Sequence, residues 1–237
     1  MKTALLYSLI PVAAALIAAL AAIFMNGSGR LQSIVQHLAG GVVFAAVALE
    51  ITPDLMQRHA PFPTAIGFIV AVLGLLLLSK SEQSGEARAG GSKLPRVYLC
   101  AIGIDLLLDG FVIGIGFSGG PRQGRLLTLA LTLELVALGL ALVGELRARS
   151  ISTWKSLTIT AGVASLLILG TGLGVGLLRI APAWAVTVAL GFGEAALLYL
   201  VTEELLREAH EREDTSFTTA IFFVGFLSIL LIDMVTR

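Results

Sequence analysis

Long apolar runs alternate with short polar breaks along the whole chain. Eight runs can be traced, approximately Ala4–Phe24, Ile34–Thr52, Ala65–Leu78, Val97–Phe117, Leu126–Leu146, Leu157–Leu178, Trp184–Leu205 and Phe217–Met234. The third is short by strict count and is expected to extend upstream to about Pro61. A helix needs about 20 apolar residues to cross the hydrocarbon core, and a barrel strand only about 10, so these continuous runs predict helices. Asn26-Gly27-Ser28-Gly29, Pro61 with Pro63, Gly119-Gly120-Pro121 and Pro182 punctuate them, as chain breakers do. The longest break runs from Ser79 to Pro95. It is rich in Ser, Gly, Glu, Lys and Arg, has no periodicity and contains no histidine, so residues 79–95 are expected to form a flexible cytoplasmic loop. The pattern predicts an all-α membrane protein with eight transmembrane helices, forming a single transmembrane domain over residues 1–237.

Composition sharpens this. Of the 237 residues 57% are hydrophobic and 14% charged, with mean hydropathy +0.93; a soluble domain carries about 25% charged residues. No loop is long enough to bury a core of its own, and no nucleic-acid partner is expected. Net charge is zero, so the placement of charge matters more than its sum. With eight spans, alternate loops share a side. One side carries ten of the lysines and arginines (Arg30; Lys80, Arg88, Lys93, Arg96; Arg147, Arg149, Lys155; Arg207, Arg212), and the side with both termini carries six. Cytoplasmic loops hold the excess of positive charge, so both termini are expected on the non-cytoplasmic side. Met1-Lys2 before an apolar run resembles the start of a signal peptide, but that run exceeds the usual hydrophobic region and reads as a retained helix. Cys100 lies within a span as a packing residue, and Trp154 and Trp184 read as interfacial anchors.

A weak internal repeat adds architecture. The second run ends Glu50-Ile-Thr-Pro-Asp54 and the seventh Glu204-Leu-Leu-Arg-Glu208, each after a stretch opened by small residues, Ala39-Gly40-Gly41 and Gly191-Phe192-Gly193. This spacing predicts a 3+2+3 inverted-repeat bundle, in which a central pair of helices carries a site near the midplane.

The chemistry falls in that central pair. Asp105 and Asp109, at i and i+4 in the fourth run, project from one helix face, and Glu134 lies mid-way along the fifth. A carboxylate in hydrocarbon costs roughly 3 kcal/mol on insertion scales. Two so close repel, and one takes a proton unless a cation lies between them. The runs contain almost no lysine or arginine away from their ends, so a cation or proton pathway is the expectation. Glu194 lies mid-span in the seventh run, and Glu50 and Asp54 flank Pro53; all three are candidate pathway residues, as is Glu204. Glu203, Glu204 and Glu208, near Arg207 and Arg212, also fit a solvated, salt-bridged helix end. Asp233 is expected to be interfacial. Of the histidines, His37 opens the second run, His59 lies in a loop and His210 follows the seventh. Surface positions are the default expectation for all three, with His37 the first to test as a pathway residue.

In order, these segments resemble the ZIP family of divalent-metal transporters, in a divergent, bacterial-type form. His37 to Asp54 is similar to that family's second helix with its Pro-acid ending. Asp105-Leu-Leu-Leu-Asp109-Gly110 resembles its His-Asn-x-x-(Asp/Glu)-Gly helix. Leu198-Tyr199 to Glu204-Leu-Leu-Arg-Glu208-Ala209 resembles the Leu-Tyr and Glu-Leu-x-Pro-Glu-Ala ending, with Arg207 in place of the proline. The departures fall at the ligands. Asp105 replaces a histidine and Leu106 an asparagine, Leu133 stands where a histidine would be, and Ala137 stands where a further acid or histidine often sits; Asp109 and Glu134 keep the acids.

The resemblance implies a two-metal region reduced to one oxygen-rich site: Asp105, Asp109 and Glu134. It further implies a divalent cation (zinc, manganese or iron) as transported substrate, no organic cofactor and no catalysis. It places the protein in a bacterial inner membrane, allows a homodimer, and implies alternating access, with spans one and four to six moving against two, three, seven and eight. Imidazole suits zinc, copper and iron, whereas oxygen-only sites lean towards manganese, magnesium or calcium; zinc also accepts carboxylates. The alternative is the same scaffold with metal transport lost, handling protons or another substrate, or sensing metal. An intramembrane aspartyl protease would need its two acids on different helices with a Gly-x-Gly-Asp signature, which Gly103-Ile104-Asp105 lacks.

Overall fold

A computed structural model describes residues 2–24, 29–88, 96–207 and 216–236, and all regular structure among them is helical. The helices are α1 (Lys2–Phe24), α2 (Gly29–Ala46, continued through a π turn at Val47–Ile51 and on through Thr52–Arg58), α3 (Pro61–Arg88), α4 (Arg96–Gly119), α5 (Pro121–Ala148), α6 (Thr153–Leu178), α7 (Ala183–Tyr199, with a π turn at Leu200–Leu205) and α8 (Ser216–Thr236). Eight of these segments are long and apolar enough to cross a membrane, with 61% of the span buried in α2, α4 and α5 but 17% in α3. The difference sorts the bundle into inner helices α2, α4, α5 and α7 and outer helices α1, α3, α6 and α8. The outer ones turn residues such as Ile17, Ile69, Leu173 and Phe223 outwards, as lipid contact requires.

Part of the expected loop is helix. Residues 79–88 continue α3; residues 89–95 lie outside the described residues. Glu, Gln, Ala and Arg in this stretch are good helix formers, and a polar composition shows only that the chain leaves the apolar layer, not that the helix ends there.

Helix pairing follows the repeat. The most extensive packing joins α4 to α6 and α1 to α5, then α3 to α7 and α2 to α8. Exchanging α1 with α6, α2 with α7, α3 with α8 and α4 with α5 maps each pairing onto its counterpart. The π turns obey the same exchange, since Val47–Ile51 and Leu200–Leu205 lie at equivalent positions in α2 and α7. In α2 the cause is local. Pro53 has no N–H to donate, and the Thr52 N–H reaches back to Val47 O. In α7 the Leu206 N–H likewise bonds Val201 O without a proline.

The packing divides the helices into two groups, and glycines explain why. In lipid, helices associate through small residues that let backbones approach. A Cβ on Gly110 would overlap Leu167 O, one on Gly170 would overlap Leu107 O, and one on Gly139 would overlap Ala15 O. These glycines join α4 to α6 and α1 to α5. Gly41 against Phe222 O and Gly67 against Val188 O join α2 to α8 and α3 to α7. Between the groups, α2 and α5 meet through side chains. Ala39, Val43 and Ala46 of α2 lie in one buried core with Leu131 and Leu135 of α5.

Candidate metal site

The i, i+4 spacing on α4 and the central register of α5 bring three carboxylates together. One oxygen from each of Asp105, Asp109 and Glu134 lies within 4.8 Å of the others. Asp109 and Glu134 are buried and Asp105 is half-exposed. Oδ2 of Asp109 and Oε2 of Glu134 have no hydrogen-bond partner although both are shut off from solvent. Buried acceptors left open in this way call for a cation or a proton. No described lysine or arginine forms an ion pair with Asp109 or Glu134. The donor chemistry therefore fits a divalent ion bound through oxygen.

A cavity of about 290 Å³ leads to this cluster from one side. Its wall runs from Ser79 of α3, Tyr98 of α4 and Arg207 after α7 inwards to Asp105 and Glu134. Ala137 lines it beside Glu134, whereas Leu106 is packed in the core at 1% exposure. At the two positions where the resemblance implies further ligands, this chain thus offers a methyl group and a buried leucine.

The other candidates separate by position. Glu203 and Glu204 line the same cavity as Asp105 and Glu134. Glu208 and His210 lie outside the described residues. Glu194 is not in the cavity wall. Its Oε1 lies 2.7 Å from Thr52 Oγ1, which also lies 3.2 Å from Val47 O. The single hydroxyl proton favours the shorter, charge-assisted bond, so Glu194 braces the π turn of α2. Asp54 is held by Arg58 at 3.0 Å. Glu50 lies 3.7 Å from Arg122, whose guanidinium also pairs with Asp233. Asp233 is near a helix end, as expected, but it is buried inside the protein at 2% exposure.

His37 overturns its expected surface placement. It is 1% exposed, with Nδ1 2.9 Å from Ser33 O. Its neighbour Gln36, which sequence reasoning passed over, lines the cavity instead. The signal was an amide inside an otherwise apolar run. His59 is exposed and ends α2 in a left-handed conformation, φ 47°. Arg122 was the other omission, since an arginine at a helix start reads from sequence as a loop charge.

Comparison with known proteins adds one finding. The chain is 27% identical over 223 residues, 87% of its own length and 72% of the relative's, to Zinc transporter ZIPB of Bordetella bronchiseptica. This likeness supports the resemblance to the ZIP family, in a divergent form, that the segments carry. No family model matches the chain. Its eight membrane-length helices make it an integral membrane protein, and the eight runs read from the sequence correspond to them.

Proposed function

We propose that this ZIP-like protein carries a divalent cation across the bilayer through a site made by Asp105, Asp109 and Glu134. The observation that carries the reading is the pair of buried, unpartnered oxygens on Asp109 and Glu134, clustered with Asp105 beside a cavity whose wall includes Asp105 and Glu134. Half-exposed Asp105 meets the ion first on the cavity side, and buried Asp109 and Glu134 replace more of its hydration shell. On the charge bias of the loops, the cavity opens to the cytoplasm and both termini lie on the far side, in a bacterial inner membrane. Transport then requires the site to face the other side. The group α1, α4, α5 and α6 carries the site and slides along α2, α3, α7 and α8, which meet it along the buried core through aliphatic side chains such as Val43 and Leu131.

Substrate choice follows from the donors. The relative is named for zinc, and zinc accepts carboxylates, but a cage of oxygen alone shifts preference towards manganese. We therefore assign manganese, zinc and ferrous iron as the substrate range, with manganese favoured more than in a histidine-bearing site. The test is uptake of manganese and zinc into proteoliposomes loaded with a fluorescent indicator. Uptake above protein-free vesicles and its loss in Asp109→Ala are expected. Unchanged uptake in Asp109→Ala refutes the site. An absence of any metal affinity at neutral pH would favour the proton-handling alternative.

A further inference from the structure

The cavity reaches the acidic cluster from one side, and the opposite end of the seam between the two helix groups is closed by charge. At that end Arg122 opens α5. Its guanidinium pairs with Asp233 on α8, donates to the Asp233 carbonyl at 3.3 Å, and lies 3.7 Å from Glu50 in the π turn of α2. Gln123 beside it approaches the Glu50 carbonyl at 3.4 Å. A Cβ on Gly119, at the end of α4, would lie 3.6 Å from an Asp54 oxygen. The α4–α5 hairpin therefore abuts the π turn of α2 and the end of α8, which belong to the other helix group.

We infer that Arg122 is a positioning residue that holds the far side of the transport path shut in the cavity-open state. Asp233 is 2% exposed. A carboxylate that deep needs a positive partner, and removing one member of such a pair leaves the other charged and buried. In the closed arrangement the guanidinium is that partner. When the group containing α5 moves, Arg122 is drawn from Glu50 and Asp233, and water or an arriving cation takes its place. The same residue thus ties closure of one face to the position of the ion site three turns along α5. Both Asp233 and Glu50 lie in the group that Arg122 slides past, so the contact cannot survive that movement. The inference rests on the two-group movement proposed above.

The test measures access rather than flux. Ala130 is 1% exposed and lies one turn from Glu134 on the Arg122 side. Full-length Cys100→Ser, Ala130→Cys protein is placed in sealed vesicles of both orientations and labelled from each face with a membrane-impermeant thiol reagent. Arg122→Gln is expected to speed labelling from the hairpin face about ten-fold. Arg122→Lys should give a smaller increase, because an ammonium cannot bridge two carboxylates as the planar fork does. Should Arg122→Gln not assemble, Asp233→Asn carries the same expectation, with Glu50 left as the one carboxylate that Arg122 meets. A rate unchanged from the parent in the assembled variants overturns the inference. Manganese and zinc uptake by the parent is read in the same vesicles. A parent that moves neither ion refutes the transport reading, and the labelling still decides the seal.

Discussion

Replacing Asp109 by asparagine should make the metal-free protein more stable and the metal-bound protein less so. The substitution keeps shape and one carbonyl oxygen and removes one charge from three carboxylates whose oxygens lie within 4.8 Å. At that separation, with an effective dielectric constant of about 20, each pair of like charges costs about 3 kcal/mol. Shared protons lower that figure, and closer approach of the oxygens raises it. Relief of one to two such repulsions should raise the unfolding midpoint in detergent with a chelator present by several degrees, since about 1 kcal/mol moves a chain of this size by about 2–4 °C. A bound divalent ion reverses the sign, because it interacts with each carboxylate about twice as strongly as one carboxylate repels another. Saturating metal at about a hundred times its dissociation constant stabilises wild type by about 2.7 kcal/mol, and the variant should lose most of that response. The assay is thermal unfolding with and without manganese. A variant less stable than wild type in chelator, with an unchanged metal-induced shift, would show that Asp109 is a structural hydrogen-bonding residue and refute the reasoning.

Two further outcomes test other links. Gly110→Ala places a methyl group against Leu167 O and should destabilise by about 1–3 kcal/mol as α4 is pushed from α6, whereas Gly162→Ala, with nothing near its added Cβ, should leave the unfolding midpoint within a degree or two. Ala137→Glu adds a carboxylate to the cavity wall beside Glu134 and should tighten manganese binding about ten-fold, or about 1.4 kcal/mol, in a calorimetric titration; unchanged binding would place the ion elsewhere.

How much of this was legible beforehand depends on what a one-dimensional pattern can carry. Apolar run length determined the eight spans, because the thickness of the bilayer sets the length of every crossing helix. The spacing of Asp105 and Asp109 placed both on one face, because helical geometry is local. The short likeness of the second and seventh runs falls where α2 and α7 carry their π turns, though nothing in it specified that turn. Helix beyond Ser79 was missed because polarity reports solvent contact, not backbone conformation.

The tertiary structure decided the rest. Outer and inner helices here are both apolar, so no polar stripe marks which face of α2 meets α5. Sequence therefore could not say that Gln36 lines the cavity while His37 turns against Ser33. Nor could it show that Arg122, 72 positions from Glu50 and 111 from Asp233, is the charge that meets both. Partners that far apart in the chain are chosen by which helices pack together. In this bundle that choice is made by glycines that admit one neighbouring backbone each.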